Sequence, residues 1–161
     1  MRTAFTDLVG VDHPLVGFNR SPGVVSEVSR AGALGVLAAT AYRPEELDAQ
    51  LTWIEEQIGD RPYGVDLLIP AQLTDGDAAD LVASLRAQIP DEHIEFVERL
   101  IAAYGVPPAR DDTYVAAVNT NPSIVSQLLD VAFSHRISLI ASALGTPPAY
   151  LVDRAKEVGV T

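Results

Sequence analysis

Cysteine is missing from all 161 residues, which removes disulfides, thiolate metal sites and a cysteine nucleophile together. Basic residues are scarce: 11 Lys and Arg stand against 22 Asp and Glu, a formal net charge of −11. Nothing in such a chain neutralises a run of phosphates, so nucleic acid is excluded as a partner, and so is docking on an anionic membrane. Long apolar runs are lacking too. No stretch approaches the roughly 20 residues of a membrane span, and the opening "MRTAFTDLVGVD" has no apolar run fit for a signal peptide. The expectation is a cytoplasmic protein. The three histidines, His13, His93 and His135, have no metal-ligand spacing with one another or with a carboxylate pair, so no metal site is expected. Gly-x-Ser-x-Gly, Walker and dinucleotide fingerprints are also absent.

What remains is globular: 48% apolar and 20% charged residues, in a chain of single-domain size that can bury a real core. Short apolar runs without alternation, the mark of strands buried on both faces, occur at residues 14–19, 34–40, 64–69 and 137–143. Helices follow them. Ser21 and Pro22 start one, with Val24, Val25 and Val28 as its apolar face. Leu47, Leu51, Ile54 and Ile58 recur at helical spacing in the next, with Glu45, Glu46 and Asp48 at its positive end and Gly59 closing it. Trp53 on this helix is expected to pack against the sheet. Thr146 and Pro147 in "ALGTPP" read as the start of the last helix. Strand then helix, four times with short connections, means parallel strands and right-handed crossovers.

The third unit is interrupted by a helical insertion, residues 71–120. "DAADLVASLRAQI" and "DEHIEFVERLIAAYGV" read as amphipathic helices, the second burying Ile94, Val97, Leu100 and Ile101; "PPARDDTYVAAVNTNP" reads as loop, its adjacent Asp111 and Asp112 as solvated carboxylates. The helix "NPSIVSQLLDVAFSH", capped by Asn121 with Pro122 at its first position, completes the unit.

Taken together, "HPLV", "SRAGALGVLAAT", "PEELDAQLTWIEEQIGDRPYGVDLLIP" and "ALGTPPAYLVDRAKEVGV" resemble the nitronate monooxygenase family, also called 2-nitropropane dioxygenases. The resemblance runs along nearly all of the chain except the insertion. It implies an α/β fold, a parallel β/α barrel of the flavin-dependent type, of which residues 1–161 would supply about four βα units of a single barrel domain. Family chains are about twice as long, a typical barrel needing roughly 250 residues. A half barrel, stopping just before the fifth strand, is therefore expected.

The resemblance also implies the cofactor FMN and oxidation of alkyl nitronates, a small-molecule substrate, with oxygen. The family's flavin phosphate sits in glycine-rich loops of the later units and its catalytic histidine in a "GGH" motif there, so no catalytic residue is assigned in this chain. Alone, the chain is expected to bind FMN weakly or not at all and to turn over no nitronate. Gly17, Phe18, Asn19 and Arg20 stand where the family backbone meets the flavin ring; the alternative is an ordinary strand-to-helix turn. Asp66 interrupts an apolar strand where the family usually has asparagine, facing the flavin or else forming a structural ion pair, with Arg20 as partner in either case. Ser142, near the end of the fourth strand, faces the site or bonds the backbone. The bare edges of a half barrel are expected to pair with another chain, in a homo-oligomer or otherwise, or with the missing C-terminal half. Two other readings stand beside this one: a flavin enoyl-thioester reductase on the same barrel, and a non-catalytic half-barrel binding or assembly module.

Overall fold

A computed structural model describes residues 1–69, 83, 84, 86–107, 122–143 and 145–161, and among these four parallel strands are connected through helices. The strands are β1 (Val16–Asn19), β2 (Leu34–Ala38), β3 (Tyr63–Leu67) and β4 (Leu139–Ser142), hydrogen-bonded in the order β1-β2-β3-β4. The helices are α1 (Ala4–Val9), α2 (Pro22–Arg30), α3 (Pro44–Ile58), α4 (Asp91–Tyr104), α5 (Pro122–Ser134) and α6 (Ala149–Glu157). All four expected strands are present, each one to three residues shorter at one or both ends, and all pair in parallel.

The register gives the sheet two faces, because successive side chains point to opposite sides. On the outer face Leu37, Val65 and Leu67 pack with Leu47, Leu51, Ile54 and Ile58 of α3 and with Val125, Leu128 and Leu129 of α5. Those four α3 positions are the stripe expected from their spacing, and Gly59 ends the helix with φ 61°. Glycine is needed on this face where α2 crosses. A Cβ on Gly35 would run into the Val25 carbonyl oxygen, and one on Gly17 would come within 2.7 Å of the Val28 methyls. The buried Ser29 of α2 fixes that approach: its hydroxyl donates to Pro62 O at 2.9 Å and accepts from Gly35 N at 3.2 Å.

The inner face carries Val16 and Phe18 of β1, Leu34, Val36 and Ala38 of β2, Gly64 and Asp66 of β3, and Leu139 and Ala141 of β4. Its N-terminal end is closed by α1, an element the apolar periodicity does not reveal. Val9 and Val11, with Phe5, pack against Leu34, Val36 and Leu139. Thr3 and Thr6 cap each other's backbone N–H groups, and Gly10 (φ 76°) terminates the helix after six residues, too few to show a period.

Several expectations are corrected. Val24 is exposed and the buried side of α2 is Val25, Ser26 and Ser29, so its apolar face is rotated and partly built from serines satisfied by backbone carbonyls. Trp53 lies off the α3 stripe and stands exposed beside Pro22, Gly23, Ala49 and Gln50 instead of packing on the sheet. The last helix starts at Ala149 with Pro148 as its N-cap residue, not at Pro147. The second proline disfavours helical backbone at Pro147 before it. Ile94, Val97, Leu100 and Ile101 of α4 are exposed, because none of the described elements packs over that face. Asn121, Asp111 and Asp112 and most of "DAADLVASLRAQI" lie outside the described residues.

His135 has a structural place. Its side chain is only 9% exposed, with Nε2 3.1 Å from Asp48 Oδ1 and Nδ1 3.5 Å from Glu55 Oε1, tying the end of α5 to α3. Glu55 Oε1 also accepts from Arg136 N at 2.7 Å and from the Tyr63 hydroxyl at 2.9 Å. His13 and His93 are exposed.

Candidate functional site

Asp66 ends the inward row of β3, near its carboxyl end. Its register partners there are Ala38 on β2 and Ala141 on β4, the smallest side chains after glycine, so on this face the aspartate is flanked by two methyl groups. Beneath it lie Val36, Gly64 and Leu139, an apolar floor. Asp66 is 9% exposed, and its carboxylate makes no hydrogen bond or ion pair among the described residues. Burial pushes its pKa up from the ordinary aspartate value. Arg20 does not pair with it; that expectation is corrected by the position of Arg20, exposed beyond the end of β1, where its carbonyl accepts the Tyr42 hydroxyl at 2.9 Å.

The register separates the six candidate residues. Phe18 shares the inner face with Asp66 and is 59% exposed, an aromatic surface beside the apolar floor. Gly17 points the other way, against Val28 of α2. Asn19 also lies on the outer face, where its Oδ1 accepts from Ser21 N at 2.8 Å and shapes the turn into α2. Ser142, paired with Leu67, lies on the outer face as well, with a buried Oγ that has no hydrogen-bond partner among the described residues. The structure therefore brings Phe18 and Asp66 to one surface and does not bring Gly17, Asn19 or Ser142 there. A groove of about 710 Å³ lined by Asn19, Arg20, Ser21, Ala41, Tyr42, Glu46 and Gln50 opens at the ends of β1 and β2, but neither Asp66 nor Phe18 borders it. Sequence reasoning did not single out Ala38 and Ala141. The signal for them is positional: both occupy the level of Asp66 once parallel in-register pairing is assumed.

In an eight-stranded parallel barrel the inner face is the lumen, and the carboxyl ends of its strands carry the site. Among the described residues no group of three or more histidines and carboxylates is placed to hold a metal ion. The inner face offers a different chemistry, one polar group at the rim of an apolar floor, which suits the polar edge of a flat, mostly apolar ring.

Comparison with known proteins identifies the fold's relatives. The nitronate monooxygenase family profile matches residues 2–161. The chain belongs to that family. It is 42% identical over 159 residues to a Mycobacterium tuberculosis protein named a putative monooxygenase, covering 96% of this chain and 42% of that one. Among solved structures, a nitroalkane oxidase from Streptomyces ansochromogenes superposes with a TM-score of 0.64 at 20% identity, over 98% of this chain and 41% of its own. FabK from Thermotoga maritima superposes with a TM-score of 0.59 at 18% identity, over 100% of this chain and 36% of its own. These structures establish the β/α-barrel type of the fold, and this nitronate monooxygenase family chain spans about two fifths of the length of each of the three. No helix among the described residues is long and apolar enough to cross a membrane.

Proposed function

We propose that the chain forms the ring-binding side of an FMN-dependent monooxygenase that oxidises alkyl nitronates with oxygen. The observation that carries this reading is the unpartnered, buried Asp66 at the carboxyl end of an inner barrel strand, in a chain matched by the family over residues 2–161. The residues fit a flavin ring: Phe18, 59% exposed on the inner face, offers apolar surface, the small Ala38 and Ala141 leave the backbone of β2 and β4 close at hand, and Asp66 offers the polar contact that orients the ring edge. The chemistry FMN supplies when bound is acceptance of electrons from a carbon acid and their delivery to oxygen. This chain's own residues bind and orient the ring and keep water from its inner side.

The inner face of the described residues presents no Arg or Lys, and with it no cradle for a phosphate. Charge-assisted bonds to phosphate contribute about 1.5–3 kcal/mol each, so without them FMN binding to the 161-residue chain is weak and owes little to the phosphate. Titration with FMN and with lumiflavin, which has the ring without the phosphate, gives affinities within about threefold of each other. A yellow protein that survives gel filtration overturns this account. In a polypeptide that carries the chain on to the length of its relatives, oxygen uptake on adding an alkyl nitronate supports the monooxygenase reading. Reduction of an enoyl thioester by reduced nicotinamide, without nitronate-dependent oxygen uptake, overturns it.

A further inference from the structure

Asp66 departs from what a carboxylate needs. An ionised carboxylate inside a fold requires a cation or several N–H donors, and its neighbours among the described residues supply neither. The inward residues are Val16 and Phe18 on β1, Leu34, Val36 and Ala38 on β2, and Leu139 and Ala141 on β4; Phe5, Val9 and Val11 close the far end. None of these titrates. Asp7, the carboxylate of α1, is exposed and paired with Arg2 at 2.8 Å; Arg20 is exposed beyond the end of β1, where its carbonyl accepts the Tyr42 hydroxyl. The group is thus badly placed as an anion and well placed as an acid, for a protonated carboxyl carries an O–H donor beside a carbonyl acceptor.

We propose that Asp66 works as a neutral carboxylic acid, giving one donor and one acceptor to the amide-like edge of a planar ring laid over Ala38 and Ala141, and that ionising it expels the ring. This rests on the flavin reading above, and goes beyond it by making ring binding depend on pH. The burial that holds the proton on Asp66 is completed by the ring itself, which covers the 9% of the residue still exposed. Ring and proton therefore bind cooperatively: each raises the affinity for the other by the same factor. Asparagine in this place would present the same donor and acceptor without a proton to lose, so Asp66→Asn mimics the neutral acid at every pH.

The test uses the 161-residue chain, lumiflavin as probe, and carbon-13 NMR of the aspartate carboxyls, with Asp66→Asn assigning the Asp66 signal. In the ligand-free chain Asp66 titrates above the ordinary aspartate midpoint of about 3.9. Saturating lumiflavin moves its midpoint higher. Wild-type affinity for lumiflavin falls about tenfold for each pH unit above the ligand-free midpoint until the liganded midpoint is reached, while Asp66→Asn binds with one affinity throughout. Asp66→Leu, which keeps the branched shape and loses both contacts, binds about tenfold more weakly than Asp66→Asn. Should Asp66→Leu not fold, the comparison of wild type with Asp66→Asn decides alone. An Asp66 midpoint at or below the ordinary value overturns the proposal, and so does lumiflavin affinity that is flat with pH in the wild type. Lumiflavin binding to neither wild type nor Asp66→Asn at any pH overturns the flavin reading together with it.

Discussion

Asp66 and Glu55 are both carboxylates set into the fold, and they bias its stability in opposite directions as pH changes. Burial raises the Asp66 pKa, so the folded state binds a proton more tightly than the unfolded one. Stability then falls as pH rises from the unfolded value of about 3.9 through the folded one, and stays lower above it. Burial acts on Glu55 in the same sense, but it is outweighed by hydrogen bonds from Arg136 N and the Tyr63 hydroxyl and by the nearby His135 and Arg136, and its pKa is lowered. Its contribution is present above the unfolded value and is lost as pH falls through the folded one. In urea melts at pH 7, Asp66→Asn is therefore more stable than wild type by about 1 kcal/mol, and Glu55→Gln less stable by about 2 kcal/mol. Both differences shrink on acidification toward pH 3; a difference that grows instead contradicts the assigned direction for that residue. Gly35 gives a steric counterpart. Gly35→Ala drives a methyl into the Val25 carbonyl and costs more than about 3 kcal/mol, while Gly17→Ala meets only the movable Val28 side chain and costs about 1–3 kcal/mol.

The helices show what apolar spacing does and does not convey. Both α3 and α4 carry apolar residues at helical intervals, and both are helices. Spacing fixes which side of a helix is apolar, yet it is silent on whether anything covers that side. Leu47, Leu51, Ile54 and Ile58 lie against β2, β3 and α5, whereas Leu100 of α4 is 41% exposed. Leu51→Ala accordingly destabilises by about 2–5 kcal/mol, and Leu100→Ala by less than about 0.5 kcal/mol, measured as shifts in urea midpoint at constant slope. A loss above 2 kcal/mol at Leu100 would mean that the α4 face is covered in solution. The strands were legible because unalternating apolar runs between helices leave little choice but a parallel sheet. The site was legible only in part. An aspartate in an apolar strand announces itself, and Asp66 was found that way. Which of Gly17, Phe18, Asn19, Arg20 and Ser142 share its surface depends on register, a relation between strands that no single segment encodes. The capped six-residue α1 escaped for a related reason, since its role is to close the inner face formed by strands far along the chain.

The sheet has two free edges among the described residues, the outer sides of β1 and β4. The β4 edge is already begun upon: Thr161 N–H donates to Ser138 O at 3.1 Å and Ile140 N–H to Thr161 O at 2.9 Å, a parallel-type bridge beside Leu139 that continues the order β1-β2-β3-β4 by one residue. Next to it an apolar cavity of about 210 Å³ is lined by Ile140, Leu151, Val152, Ala155 and Val160. At the β1 edge Val16 and Phe18 are exposed on the inner face. Open backbone groups flanked by bare apolar side chains are a template for further strands, and nothing charged on β1 blunts it. The 161-residue chain is thus expected to associate in solution, through a second copy or through whatever polypeptide completes the barrel. Light scattering coupled to gel filtration should give a mass above 17.2 kDa that rises with protein concentration. Val16→Lys, which places a charge on the β1 edge without touching the α3 core, should shift the distribution toward monomer. A wild-type chain that runs as a single folded monomer across a hundredfold range of concentration, on the order of 1 to 100 µM where weak strand pairing would show, would mean that the edges are protected in some other way and that barrel closure does not depend on a partner.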